Sequence, residues 1–210
     1  MIRVYALIFL FIIKNILFSA KIFTNKCTNG IILIVENKGA DDMIFNLKLV
    51  KVDTDYCDYL REFDNRVSYN KYEKELRPFV GVLFMIKNIE YFAPLSSPKP
   101  KHLKMRNTID FFKIKNGELG AINFNNMIPV KESNYKLIDL DKVPKKAEEK
   151  KYQKLLKEQL DWLNENYVQV KNKSFKLYDL YNKNRLSENI KSRCCNFKLL
   201  EKKCIEYNNM

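Results

Sequence analysis

The sequence predicts an α+β protein in which helices surround a small, strongly bent antiparallel sheet or partial barrel. Three observations carry this prediction. Short apolar runs separated by turn signals fill the middle of the chain, the part after residue 145 has the periodicity of amphipathic helices, and neither an internal repeat nor a Gly-rich phosphate loop occurs. The 210 residues suffice for one well-cored domain with a short appendage.

The first predicted element is a short helix with Asp53 or Thr54 as its N-cap. In the stretch DTDYCDYLREFD, apolar residues recur at the spacing i, i+3, i+4 and i+7, which places them on one helix face. These residues are Tyr56, Tyr59, Leu60 and Phe63. Residues 65–78 are polar and predict a loop.

Two hairpins and two further extended segments are predicted next. Lys87-Asn88 makes a tight connection in the first hairpin, whose first strand, FVGVLFMI, is apolar enough to be buried. Asn116-Gly117 joins the strands of the second and is the strongest hairpin signal in the chain. The hairpins join 79–86 to 89–95 and 109–114 to 118–124, and the further extended segments are 127–130 and 136–140.

Three helices are predicted after residue 145. The first has a single apolar stripe opposite its charged residues, as amphipathic helices do. The second covers roughly 173–183, and the third begins at the N-cap Asn196 and places Phe197, Leu200 and Cys204 on one face. The stripe of the first consists of Tyr152, Leu155, Leu156, Gln159, Leu163 and Tyr167.

The charge of the chain indicates a polyanionic partner. The formal net charge is +13, and residues 1–42 contribute little to it, with five Lys/Arg against three Asp/Glu. Lysines and arginines that neutralise phosphates release counterions, so a surplus of this size favours a nucleic acid. The alternative is a basic surface that only keeps the protein soluble.

The cysteine pattern supports neither a zinc site nor a disulfide framework. The five cysteines are Cys27, Cys57, Cys194, Cys195 and Cys204, and none forms a CxxC pair. His102 is the one histidine and has no cysteine near it. A structural zinc ion needs four converging ligands, so we expect no metal, and the odd number of cysteines fits a reducing compartment.

Residues 1–42 allow two interpretations. Arg3, an apolar run over residues 5–13 and Phe-Ser-Ala at 18–20 resemble a signal peptide, although Lys14 makes the run short for a membrane helix. Alternatively, translation starts at Met43. Accidental translation of non-coding DNA rich in A and T would also give a sequence of this kind, and the codons of residues 38–40 can contain a bacterial ribosome-binding sequence. We expect a functional domain over 43–210 that acts in the cytoplasm, and we treat 1–42 as a doubtful extension.

The segment EYFAPLSSPKPKH, residues 90–102, is the best candidate for chemistry. It presents Ser96, Ser97, Lys99, Lys101 and His102 on a loop that prolines stiffen, and such a set can surround one phosphate. The competing interpretation is a surface loop between two strands. A histidine beside lysines is usually just exposed, although it can act as an acid or base near neutral pH.

Five segments in the chain match one protein family in order and spacing. They are YLREFD (59–64), RPFVGVLF (77–84), YFAPLSSPKPKH (91–102), LGAINFNNMIPV (119–130) and CNFKLLE (195–201). Through them, residues 43–210 resemble the ToxN/AbiQ family, the endoribonuclease toxins of type III toxin–antitoxin systems. Residues 1–42 have no counterpart there.

The resemblance implies a compact fold like that of the Kid/MazF toxins, an SH3-like antiparallel β-barrel with surrounding helices. It also implies cleavage of A-rich RNA without metal or cofactor, by attack of the 2′-hydroxyl, which leaves a 2′,3′-cyclic phosphate and a 5′-hydroxyl. The implied substrates are mRNA and the toxin's own antitoxin transcript. The implied antitoxin is a repeated RNA pseudoknot, held with the toxin in a cyclic complex, and the implied biological role is phage defence by abortive infection.

The family's Thr/Ser-Ser-Pro-Lys signature falls on residues 96–99. The resemblance therefore implies that Ser97, Ser96 and Lys99 are catalytic. Arg77 matches a basic position before the first core strand, and arginine can hold a phosphate bidentately. Tyr72 lies one residue out of register with a family tyrosine. The residues expected to bind RNA or its phosphates are Arg77, Lys101, His102, Tyr72 and Tyr56.

Cleavage by a 2′-hydroxyl needs a group that removes its proton, a group that protonates the leaving oxygen, and positive charge around the phosphorane. A deprotonated Lys99 and His102 are both candidates for proton transfer. Two other functions stay open at this point: a non-catalytic RNA-binding module with the same fold, and an exported or membrane-tethered basic protein that uses residues 1–42.

Overall fold

A computed structural model of the chain describes residues 46–68 and 77–209, which all fall in one of its two units, Asn46–Met210. The predicted boundary at Met43 lies outside these residues and stays a prediction. The strands are β1 (Lys48–Val52), β2 (Phe79–Gly81), β3 (Met85–Ile86), β4 (Ile89–Ser96), β5 (Phe111–Lys113), β6 (Ala121–Asn123), β7 (Ile128–Val130) and β8 (Tyr135–Leu137). The α-helices are α1 (Thr54–Phe63), α2 (Pro100–Lys104), α3 (Ala147–Glu165), α4 (Tyr167–Asn182), α5 (Glu188–Lys191) and α6 (Phe197–Tyr207).

Strand β4 is the centre of the sheet because it pairs antiparallel with four other strands. Its first half pairs with β3 and β7, and its second half pairs with β2 and β6. The sheet continues as β5-β6-β4-β2-β1-β8. β4 therefore exchanges partners halfway along its length, and the predicted strong bend of the sheet stays a prediction.

The sheet is open, so the predicted closed barrel is wrong, while the α+β class is confirmed. β5 and β8 lie at the two ends of the strand order, and no pairing joins them in the described part of the chain. Both edge strands are three residues long, which leaves little backbone with which to close a barrel. The likeness to the Kid/MazF toxins stays a prediction.

The first hairpin is confirmed, but its first strand is not continuous. Leu83 N donates to Tyr91 O and Tyr91 N donates to Phe84 O, both at 3.0 Å. Two residues therefore oppose one, and this bulge divides the predicted strand 79–86 into β2 and β3. Lys87 and Asn88 have φ of 46° and 64°, the left-handed conformation that a two-residue hairpin turn requires.

The second hairpin is also confirmed, with a longer connection than the sequence predicts. β5 and β6 pair through Phe112 and Ile122, and Asn116 has a left-handed φ of 55°. A 3-10 turn at Lys115–Gly117 widens the connection beyond two residues. The extended segments 127–130 and 136–140 correspond to β7 and to the shorter β8.

Both predicted helix caps are present. The Asp53 carboxylate accepts a hydrogen bond from Tyr56 N at 3.0 Å, and the Asn196 side chain accepts one from Leu199 N at 3.2 Å. The long helix ends before Tyr167, because Asn166 breaks it, and α4 is longer than predicted. The short helices α2 and α5 were not predicted.

Three features bear on the predictions from composition. The described cysteines, Cys57, Cys194, Cys195 and Cys204, are free and buried. Within residues 46–68 and 77–209, no group of three or more His, Cys, Asp or Glu side chains is placed to hold a metal ion. No helix in that part of the chain has the length and apolar content needed to cross a membrane.

Candidate active site

Ser96 and Ser97 lie where the central strand of the sheet ends. Ser96, the last residue of β4, pairs with Ala121 of β6 and is partly exposed. The backbone NH of Leu95 donates to the carbonyl of Pro78 at 2.9 Å, which ties this end of β4 to the residues before β2. Ser97 follows the strand and is exposed. Both hydroxyls therefore stand at a fixed strand end that a ligand can reach.

Arg77 is brought to the same place by the pairing of β2 with β4. The register sets Phe79 opposite Pro94, and continuing it two residues sets Arg77 opposite Ser96. Residues that oppose each other across an antiparallel pair share a face of the sheet. Arg77 is half-buried, and burial lowers the pKa of its guanidinium. The pKa of an arginine starts far above neutral pH, so the lowered pKa still leaves the group charged at pH 7.

Lys99 lies at the N-cap position of α2 and is exposed, as is Lys101. The backbone NH of His102 donates to the carbonyl of Lys99 at 2.8 Å, which fixes the first turn of this helix. Proline at its first position suits a helix start, since no NH is needed there. The predicted proline-stiffened loop thus contains a short helix, Pro100–Lys104, which begins three residues after Ser97.

His102 was expected to be exposed, and this prediction is wrong. Its side chain is 2% exposed, and its ring centroid lies 5.7 Å from that of Phe111. Nδ1 is buried without a hydrogen-bond partner. Burial, followed by the charges of Lys101 and Lys99, lowers the pKa of His102, so the ring is neutral at pH 7. It therefore adds no positive charge to the site.

Two glycines in the β5–β6 connection pack closely against the backbone of residues 96–102. Gly120 has φ of +102°, and a Cβ built on it would overlap the carbonyl oxygen of Ser96 and lie 3.1 Å from the carbonyl carbon of Ser97. Gly117 has φ of +100°, and a Cβ on it would lie 2.8 Å from the carbonyl oxygen of His102. Only glycine combines this conformation with such close backbone approach.

Asn123 is a polar contact of the site that the sequence analysis missed. Its Nδ2 donates a hydrogen bond to Ser96 Oγ at 2.8 Å. The residue lies within the segment LGAINFNNMIPV, whose match to the family is the one signal in the sequence that could have pointed to it. A cross-strand contact of this kind depends on the register of β4 with β6, which the sequence does not state.

Of the two predicted tyrosines, only Tyr56 is in the part of the chain that the structure describes, and the role predicted for Tyr72 stays a prediction. Tyr72 lies outside the described residues. Tyr56 is fully buried, and its hydroxyl donates to the carbonyl of Pro129 at 2.6 Å. Its side chain is part of the core in this structure, so it offers no surface to RNA.

The fold and the site together define an α+β protein with hydroxyl and cationic side chains at the end of its central strand. Comparison with known proteins gives the family. The family model described as "Toxin ToxN, type III toxin-antitoxin system" matches residues 48–204. The chain belongs to this ToxN toxin family.

Two curated relatives illustrate the likeness. Endoribonuclease ToxN of Bacillus thuringiensis subsp. kurstaki is 39% identical over 166 residues, which cover 77% of this chain and 84% of the relative. Endoribonuclease AbiQ of Lactococcus lactis subsp. lactis is 33% identical over 172 residues, which cover 77% of this chain and 89% of the relative.

Solved structures agree with the family. One comes from work on selective toxin inhibition by a non-coding RNA pseudoknot in type III toxin–antitoxin systems. It is 37% identical to this chain, has a TM-score of 0.66, and the match covers 79% of this chain and 99% of that one. Another, of AbiQ, a lactococcal anti-phage endoribonuclease, is 30% identical with a TM-score of 0.66 and the same coverage.

Proposed function

We propose that this chain is the endoribonuclease toxin of a type III toxin–antitoxin system and that it cuts A-rich RNA without a metal ion. The observation that supports the proposal is the end of β4, where the register of β2 extends to set Arg77 opposite Ser96, and where Ser97 and Lys99 follow directly in the chain. Membership of the ToxN family supports it, since curated members are named endoribonucleases.

The chemistry follows from these four groups. The ribose 2′-hydroxyl gives up its proton and its oxygen bonds to the adjacent phosphorus. The bond from phosphorus to the 5′-oxygen breaks and that oxygen takes up a proton, so a 2′,3′-cyclic phosphate and a 5′-hydroxyl remain. Arg77 and Lys99 stabilise the negative charge of the phosphorane, and Ser97 donates a hydrogen bond to one of its oxygens. Because His102 is buried, Lys99 is the better placed of the two candidates for proton transfer.

The partner in this proposal is an RNA. One structural relative comes from work on inhibition by a non-coding RNA pseudoknot and another from work on a processed non-coding RNA that regulates a bacterial antiviral system. We propose the same kind of antitoxin here, bound in a cyclic protein–RNA complex, with mRNA and the antitoxin transcript as substrates. The toxin then acts in the cytoplasm, where those RNAs are, and serves in phage defence.

The test is cleavage of A-rich RNA by the purified protein in EDTA. We expect products with cyclic-phosphate ends, and no cutting where the ribose 2′-hydroxyl is absent. Ser97→Ala should lower the cleavage rate about 10²–10³-fold and abolish toxicity while RNA binding is retained. Ser187→Ala is the matched control, since Ser187 is an exposed serine that makes no capping hydrogen bond.

The alternative function, a non-catalytic RNA-binding module, makes the opposite prediction. It binds the RNA but leaves no cyclic-phosphate ends at any protein concentration. A Ser97→Ala protein that kills cells at normal expression would also refute the proposed role of this serine.

A further inference from the structure

The contact between Asn123 and Ser96 is set by the sheet itself. Ala121 is directly opposite Ser96 in the pairing of β6 with β4. Asn123 is two residues further along β6, and alternate residues of a strand project from the same face. Its side chain therefore lies on the same face as that of Ser96, and the amide reaches diagonally from β6 to β4, where Nδ2 lies 2.8 Å from Ser96 Oγ.

The end of β6 is itself held in place. A 3-10 turn, Phe124–Asn126, follows Asn123 directly, and within it Asn125 N donates to the carbonyl of Asp110 at 3.2 Å. Asn123 is partly buried, so its side chain is confined by its neighbours. The amide is thus a fixed partner for the serine.

The polarity of this hydrogen bond decides what Ser96 can do. A serine hydroxyl has one proton to donate and two lone pairs that accept, whereas an amide NH2 group only donates. The bond from Asn123 therefore occupies a lone pair of Oγ and leaves the hydroxyl proton of Ser96 for another acceptor. The non-bridging oxygens of a phosphate are acceptors.

We propose that Asn123 is a positioning residue for cleavage: it orients the Ser96 hydroxyl so that this hydroxyl donates to the scissile phosphate. The inference rests on the proposed function, since it assumes that Ser96 contacts the reacting phosphate. Asn123 itself need not touch the RNA. Its effect passes through Ser96, and this distinguishes it from a catalytic residue.

The test is a double-mutant cycle of Asn123→Ala and Ser96→Ala, with kcat measured on A-rich RNA. We expect Asn123→Ala to lower kcat about tenfold with KM nearly unchanged, and to have less than a twofold effect when Ser96 is already alanine. Antitoxin RNA should bind Asn123→Ala almost as tightly as the unaltered protein, because a positioning role acts in the reaction rather than in ground-state binding.

Two further variants separate positioning from folding. Asn123→Asp keeps the shape of the side chain but replaces the donor by a carboxylate. The carboxylate accepts a hydrogen bond from the Ser96 hydroxyl and repels the phosphate, so this variant should lower kcat more than Asn123→Ala does. Asn126→Ala is the matched control. It removes a nearby amide that donates to the Arg66 carbonyl at 2.7 Å, away from Ser96, and should leave kcat unchanged.

The outcomes distinguish the two proposals. If Ser96→Ala lowers kcat while Asn123→Ala does not, the positioning role is overturned and the proposed function stands. An equal loss from Asn123→Ala with and without Ser96 also overturns the positioning role, because the effect would not pass through the serine. If Ser96→Ala cleaves at the normal rate, the role of Ser96 in the proposed function is wrong, and the positioning role of Asn123 is wrong with it.

Discussion

Replacing Gly120 by alanine should damage cleavage more than folding. The glycine has φ of +102°, and a side chain in that conformation costs about 1–3 kcal/mol. The new Cβ would also overlap the carbonyl oxygen of Ser96 and lie 3.2 Å from the nitrogen of Pro98. These neighbours are backbone atoms, so the strain can be relieved only if the serine-bearing segment moves.

A displacement of about 1 Å at a reacting group can lower a rate about 10²-fold. We therefore expect Gly120→Ala to lose about 1–3 kcal/mol of stability and about 10²-fold in cleavage per folded molecule. Gly81→Ala is the control, since its Cβ would overlap Cδ1 and Cε1 of the buried Phe92 ring and disturb the core instead.

The assay is single-turnover cleavage of A-rich RNA, with the folded fraction of each variant taken from urea unfolding. The two glycine variants should differ in rate after that correction. If Gly120→Ala and Gly81→Ala cleave equally well per folded molecule, the glycine does not support the serines and the reasoning is wrong.

Three further predictions concern folding. Burial lowers the pKa of His102 in the folded protein. As the pH drops below about 6.5, the unfolded chain therefore binds a proton more readily than the folded protein does, and the free energy of unfolding should fall. His102→Gln should remove this loss, measured by urea unfolding at pH 7.5 and 5.5. Asp64→Ala should cost about 2–4 kcal/mol in the same assay, because the buried carboxylate accepts from Arg66 Nε at 2.8 Å and from Asn196 N at 2.6 Å. Tyr56→Phe should lose about 1–3 kcal/mol, by leaving a buried carbonyl unpaired, with unchanged affinity for RNA in a binding titration.

Local chemistry explains why much of the fold was predictable. Several predicted features depend only on residues that are close together in the sequence. They are the turn at Lys87-Asn88, the helix caps Asp53 and Asn196, and the amphipathic stripe of α3. The serines and Lys99 of the candidate site are likewise close together in the sequence, so a single segment was enough to propose them. Their position at the end of the central strand follows from the apolar run that precedes them.

The missed features depend on residues far apart in the chain. The bond from Asn123 to Ser96 spans 27 positions and needs the register of β6 with β4. His102 is buried because Phe111 packs on it, although a histidine between lysines is usually exposed. The closed barrel was expected from the resemblance, but the short edge strands β5 and β8 leave the sheet open.

Both supports of the serines come from one hairpin, β5–β6, which provides Gly120 beneath the backbone and Asn123 beside the hydroxyl. That hairpin is braced in turn by α3, where the buried Gln159 donates from Nε2 to the carbonyl of Leu119 at 2.6 Å. A polar residue on the apolar stripe of α3 thus has a reason to be there, since it pairs a backbone carbonyl next to Gly120. The geometry of the proposed cleavage site therefore depends on helix packing well outside the Ser-Ser-Pro-Lys segment.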